Sequence, residues 1–322
     1  MRRNLYPSWV KIPPVAPASW SWTTRFLFLF LCFVWGFNFL FIRVGLGSAS
    51  PLWLSLMRAA VGTAATAVLL TPLRAWGRLD ARGRRDALLL GIPNTTAFYA
   101  LLNLSIESVL PGLAAVVIYT FPLWVAVLSP WLLRHRLTVR HWAAVATGFL
   151  GVALISQVWS SLDTGNSFVA ILELLFAALA WAMGTVFFQR RFSRDQMREA
   201  NAFQLFGGTA GLFVLVFVLA PAPLPRLDTG LGVTLVWLGV LGTAFAYVIW
   251  FDLLGRTRAA TLSAYVFLVP VVALIGSALF FGERLSAVQL LGVGLVFVSI
   301  YGIGRAPGAN EFVTDEEPAL PD

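Results

Sequence analysis

The 322-residue chain is 59% hydrophobic and 12% charged, with a mean hydropathy of +0.81, an apolar share that no water-soluble core of this length needs. That excludes a soluble enzyme, and the short linkers between apolar runs leave no room for a soluble catalytic domain. The net charge of +8 and pI near 10.5 would suit nucleic acid, but the placement of the charges assigns them to a membrane surface instead.

Residues 1–24 combine Pro7, Pro13, Pro14 and Pro17 with Trp9, Trp20 and Trp22 and contain no continuous apolar stretch of the kind a cleaved signal has. They read as a cytoplasmic N-terminal segment. Ten apolar runs follow, near 26–46, 52–72, 87–106, 112–133, 139–157, 167–189, 201–220, 230–253, 260–281 and 286–304. Backbone polar groups in hydrocarbon must be satisfied within their own segment, so each run reads as a helix. Roughly 20 residues suffice to cross about 30 Å. The tail 306–322, with Glu311, Asp315, Glu316 and Glu317 among Pro and Gly, is expected to be a disordered cytoplasmic segment.

The chain is written twice. Leu90-Gly91, Tyr99, Pro122 and Arg136-Leu137 recur 148 residues later as Leu238-Gly239, Tyr247, Pro270 and Arg284-Leu285, and Trp35 and Gly62 recur at 146 as Trp181 and Gly208. The halves are therefore 25–157 and 158–305, five spans each. Five is odd, so the second copy must enter the bilayer from the opposite side, and an inverted repeat points to a transporter with its site between the halves. The basic residues agree. With both termini cytoplasmic, all but four of the 23 Lys and Arg residues fall on cytoplasmic segments; the four are Arg43, Arg226 and Arg284 at the outer side and Arg58 within a helix. Arg134-His135-Arg136 should face inward and its mate Gly282-Glu283-Arg284 outward.

Cys32 stands alone, so no intrachain disulfide or thiolate metal site is possible, and His135 and His141 match no zinc spacing. No metal and no cofactor is expected.

These residues carry a family resemblance. Trp35-Gly36 with Asn38, the small-residue turn before Pro51, Arg58, Leu90-Gly91 opening the third helix, Pro122 and Pro270 inside the fourth and ninth, and Phe280-Phe281-Gly282-Glu283-Arg284-Leu285-Ser286 are similar, in this order, to EamA-type members of the drug/metabolite transporter (DMT) superfamily. The resemblance covers about residues 25–305. It departs at Arg134-His135-Arg136, where the family usually has a Gly-Glu-Arg-like turn, and at Trp181-Ala182 in place of Trp-Gly. It implies an all-α polytopic protein of ten transmembrane helices in two inverted five-helix EamA repeats. It also implies an inner-membrane secondary transporter, most often an exporter of amino acids or related small metabolites. The sequence adds that no Gly-x-x-x-x-Gly-Lys-[Ser/Thr] phosphate loop is present.

Arg58, about seven residues into the second span and hence on the order of 10 Å deep, needs a partner, water or the bundle interior. Glu173 enters the sixth span to similar depth. The two either pair between the halves, or Arg58 snorkels to the outer headgroups while Glu173 reaches water. Glu173 is also the candidate proton site. The remaining cavity candidates are Trp35, Asn38, Asn94, Tyr99, Tyr119, Trp181, Gln204, Tyr247 and Tyr265, with hydrogen-bonding or ring-stacking side chains that serve equally as packing. Trp250 reads as an interfacial belt residue. Pro122 and Pro270 should kink their helices and could gate them. Ala143, Thr147 and Gly151 form a small-residue stripe for a contact within the chain or in a homodimer. The partners expected are a small-molecule substrate and the lipid bilayer, not nucleic acid. A nucleotide-sugar or phosphorylated-metabolite exchanger would need several cavity cations, and a lipid-linked substrate translocase a lateral cleft. An intramembrane enzyme would need a catalytic constellation that the chain lacks.

Overall fold

In the computed structural model, residues 21–72, 75–109, 114, 117–133, 137–157, 159, 168–219, 223–281 and 285–304 are described. The segment 1–20, the turn Arg134-His135-Arg136, its mate Gly282-Glu283-Arg284 and the tail from 305 lie outside them. Every regular element among the described residues is helical. In chain order these are α1 (Trp22–Leu46), α2 (Pro51–Leu70), α3 (Ala81–Gly91), α4 (Phe98–Ile106), α5 (Phe121–Leu132), α6 (Val139–Ser156), α7 (Phe168–Arg191), α8 (Met197–Val214), α9 (Thr229–Leu235), α10 (Ala246–Leu254), α11 (Ala259–Tyr265), α12 (Leu268–Phe281) and α13 (Ala287–Gly304).

Among the described residues, six helical runs are long and apolar enough to span a bilayer: Trp22–Leu46, Pro51–Leu70, Ala81–Ile106, Phe168–Arg191, Met197–Val218 and Thr229–Leu254. Shorter apolar helices cover Phe121–Leu132, Val139–Ile155, Ala259–Ile275 and Ala287–Ile303. Large apolar side chains such as Phe26, Trp131, Phe168, Phe206 and Phe217 are exposed on the outside, the arrangement lipid favours and water penalises.

Local chemistry sets the helix starts. Asp80 caps α3 by accepting from the Gly83 N–H at 2.7 Å, so the third span begins before its apolar run, at Ala81. Leu90-Gly91 accordingly lies mid-span instead of opening the helix. At that point the backbone switches to a π-helical stretch, Ile92–Ala97. The second copy does the same over Val236–Phe245. Insertions of this kind re-aim side chains and concentrate at functional sites.

The two prolines break their helices rather than kink them. The fourth span is interrupted at Tyr119-Thr120 and restarts at Phe121, with Pro122 in the first turn of α5. The ninth is interrupted at Val266-Phe267, with Pro270 in the first turn of α12. A proline there sacrifices no hydrogen bond, because the first N–H groups of a helix lack intrahelical partners.

One end of the bundle gathers charge. Asp252 accepts from Arg198 and Arg256, each at 2.7 Å, Asp86 from Arg191 at 2.7 Å, and the buried Glu199 carboxylate from the backbone N–H groups of Arg78 and Leu79. At the other end the Ser48 hydroxyl donates to Asp228, which also caps α9 through the Leu231 N–H. These bonds hold the Asp228 carboxyl below the usual carboxylate range.

The pair α6 and α13, equivalent helices of the two copies, pack antiparallel. Gln157, past the end of α6, donates to Ser286, just before the start of α13, at 2.8 Å. Ser299 near the end of α13 donates to the Ala144 carbonyl near the start of α6 at 2.6 Å. Leu137 and its mate Leu285 thus lie at opposite ends of the pair. A Cβ on Gly151 would stand 2.8 Å from the Gly292 carbonyl oxygen. The small stripe facing α13 is Ala144, Gly148 and Gly151: of the expected positions Gly151 lies in it, whereas Ala143 is exposed and Thr147 half-buried, each one residue off the contact.

Candidate functional site

Where the two copies meet, symmetry mates touch. The Thr63 and Thr209 hydroxyls are 2.9 Å apart, and the rings of Trp35 and Trp181 meet edge-on at 5.2 Å. Gly242 packs on Asn38, while the reciprocal pair is Gly184 on Asn94.

Beside this contact lies a cavity lined by Trp35, Asn38, Phe39, Ile42, Arg58, Phe98, Leu102, Ile118, Tyr119, Trp181 and Tyr247. Positions 35, 38, 39 and 42 recur at helical spacing, so one face of α1 forms a wall. Arg58 comes from α2, Phe98 and Leu102 from α4, Ile118 and Tyr119 from the break before α5, Trp181 from α7 and Tyr247 from α10. Both copies contribute. Trp181 is stacked on Phe121 at 4.1 Å and 17° and contacts Phe98 at 5.1 Å.

Arg58 is only 2% exposed. Its Nε donates to the Thr243 hydroxyl at 3.2 Å, its guanidinium lies over the Tyr99 ring at 4.1 Å, and its Nη1 has no hydrogen-bond partner. Its mate at offset 146 is Gln204, and the mate of Thr243 is Thr95. Gln204 Oε1 accepts from Thr95 Oγ1 at 3.1 Å and from Asn94 Nδ2 at 3.2 Å, and its Nε2 donates to Asn201 Oδ1 at 3.2 Å. The tryptophans differ in the same way. Trp35 Nε1 donates to the Gly242 carbonyl at 3.2 Å, whereas Trp181 Nε1 is buried without a partner.

Of the residues expected from sequence, Trp35, Asn38, Arg58, Tyr119, Trp181 and Tyr247 line the cavity, and Tyr99 lies against Arg58. Asn94 and Gln204 are buried in the contact between α7, α8 and the first π-helical stretch. Tyr265 packs on Phe28, and the half-buried Glu173 is not among the lining residues. Arg58 and Glu173 form no ion pair among the described residues, and Arg58 does not snorkel: it is buried, held by Thr243 and Tyr99. Trp250 is not a belt residue. It is fully buried, with ring centroids 5.5 Å from Trp35 and 5.7 Å from Trp181. Sequence reasoning missed Thr243, which the offset of 148 from Thr95 would have found, and the apolar walls Phe39, Ile42, Phe98, Leu102 and Ile118, which the helical spacing from Trp35 marks only in part. Among the described residues no group of three His, Cys, Asp or Glu could hold a metal.

A multi-pass helical membrane protein built as a duplication, with a cavity to which both copies contribute, fits the transporter class. The pattern of the EamA-like transporter family matches residues 22–157 and again 168–305, and the chain belongs to that family. It is 30% identical over 234 residues to an "Uncharacterized transporter" of Synechocystis sp., covering 68% of this chain and 70% of the relative. It is 28% identical over 226 residues to a protein of Escherichia coli named "Probable amino-acid metabolite efflux pump", covering 66% and 75%. A solved structure with 17% identity shares the fold, with a TM-score of 0.71 over 87% of this chain and 97% of that one. The relatives are transporters, and this chain is a transporter and not an enzyme.

Proposed function

We propose that the protein is a secondary exporter of small metabolites, amino acids or related compounds. In this reading it has ten spans, as two oppositely inserted five-span repeats in the inner membrane with both termini cytoplasmic. The antiparallel packing of α6 on α13 supports the inversion, as does the segregation of arginines to one end. The E. coli relative's name supports the substrate class.

One observation carries alternating access. The cavity draws unequally on the two copies: nine of its eleven described lining residues come from the first. Ile42, Arg58, Leu102 and Tyr119 line it, while their mates Phe188, Gln204, Trp250 and Phe267 are not among the described lining residues. Rocking one copy against the other exchanges the two environments. A phosphorylated-metabolite exchanger is disfavoured because Arg58 is the one cation among the described lining residues.

The test uses mate cysteines in a Cys32→Ser background. Ile42→Cys should react with a thiol reagent from outside the cell and Phe188→Cys from inside, and a transported substrate should protect one while exposing the other. Reaction of both from one side, or of neither under turnover, contradicts alternating access.

A further inference from the structure

Resting on the transport reading above, we propose that the cavity selects an organic monocarboxylate with a flat apolar body and no positive charge, such as an amino-acid-derived acid without a charged amine. The duplicated scaffold supplies its own control. At the Gln204 position each side-chain heteroatom finds a protein partner, and at Trp35 the indole N–H is bonded to the Gly242 carbonyl. At the mates of these two positions, Arg58 Nη1 and Trp181 Nε1 are left without partners, and both residues line the cavity.

A buried guanidinium with no carboxylate partner among the described residues is costly until an anion arrives. Its planar fork fits a carboxylate, with the strength of a charge-assisted hydrogen bond. The Trp181 N–H is a further donor for the same group. No Asp or Glu stands among the described lining residues, so an ammonium entering the cavity would meet Arg58 with no acid to balance it. One cation also matches one negative charge, which argues against a phosphate dianion. Trp35, Phe98, Trp181 and Tyr247 wall the remainder, the apolar lining with few polar groups that small-molecule sites have.

The experiment holds the apolar body constant and varies charge. Binding of 3-phenylpropionate, phenylalanine and 2-phenylethylamine to purified protein is followed by tryptophan fluorescence. Phenylpropionate should bind about tenfold or more tighter than phenylalanine, and phenylethylamine more weakly still. Arg58→Gln, which copies the residue the other half already folds with, should weaken phenylpropionate by about tenfold or more and abolish the charge preference. Should that variant not fold, Trp181→Phe keeps a ring, removes the donor and should weaken phenylpropionate alone several-fold. Equal or tighter binding of phenylalanine or phenylethylamine, binding of none, or an unchanged order in Arg58→Gln overturns the proposal. Counterflow in proteoliposomes separates the two levels. Counterflow of phenylalanine or phenylethylamine in preference to phenylpropionate rejects the anion preference and leaves a transporter. Tight phenylpropionate binding without counterflow rejects its transport and leaves the anion site.

Discussion

Gly91→Ala destabilises the protein by about 3 kcal/mol or prevents its folding, while the same change at its mate, Gly239→Ala, costs about 1 kcal/mol. The contrast lies in what each new methyl group meets. At Gly91 it would overlap the Gln204 carbonyl oxygen and the Gly208 nitrogen, backbone atoms of α8 that move only if the helix moves. At Gly239 it would stand 2.7 Å from Val61 Cγ1, 2.8 Å from Val61 Cβ and 3.3 Å from the Arg58 carbonyl oxygen, a milder overlap that a smaller shift of α2 relieves. In lipid there is little hydrophobic gain between helices, so close backbone approach is itself the attraction. Thermal unfolding of the two variants in one detergent measures the difference. Equal losses would mean that α3 and α8 do not pack as closely as described.

Trp181→Ala is the second large effect. The ring is stacked on Phe121 and contacts Trp35, Phe98 and Trp250, so its removal leaves a void that these four rings cannot fill without moving. A loss of about 3–5 kcal/mol is expected for a buried Trp→Ala change, together with loss of transport because a wall of the cavity goes. Trp181→Phe should keep most of the stability. A stable Trp181→Ala protein with wild-type flux would remove the aromatic cluster from the account.

Much of this was legible in the sequence. Long apolar runs declare helices because lipid offers the backbone no other partner, and the offsets of 146 and 148 declared the duplication before any coordinate. The same offsets led to Trp35, Trp181 and Tyr247 in the cavity wall. What stayed hidden has physical causes. A proline in an apolar run has the same signature whether it kinks a continuous helix or sits in the first turn of a new one, so in the sequence alone the breaks at Tyr119-Thr120 and Val266-Phe267 look like kinks. The π-helical stretches shift register locally and leave no periodicity to detect in windows of six and ten residues. Depth along a helix says little about rotation around it. Trp250 was therefore assigned to the lipid interface although its ring points into the cluster, and Arg58 was offered Glu173 at equal depth although Thr243 and Tyr99 hold it.

The proposed transport cycle requires the two copies to be inserted in opposite directions, and topology tests that directly. Leu137→Cys and Leu285→Cys occupy the same place in the two copies, ahead of α6 and α13. In a Cys32→Ser background, a membrane-impermeant thiol reagent applied to intact cells should label Leu285→Cys and leave Leu137→Cys untouched, with the order reversed in inside-out vesicles. Labelling of both positions from the same side would contradict the inverted architecture and the transport mechanism built on it.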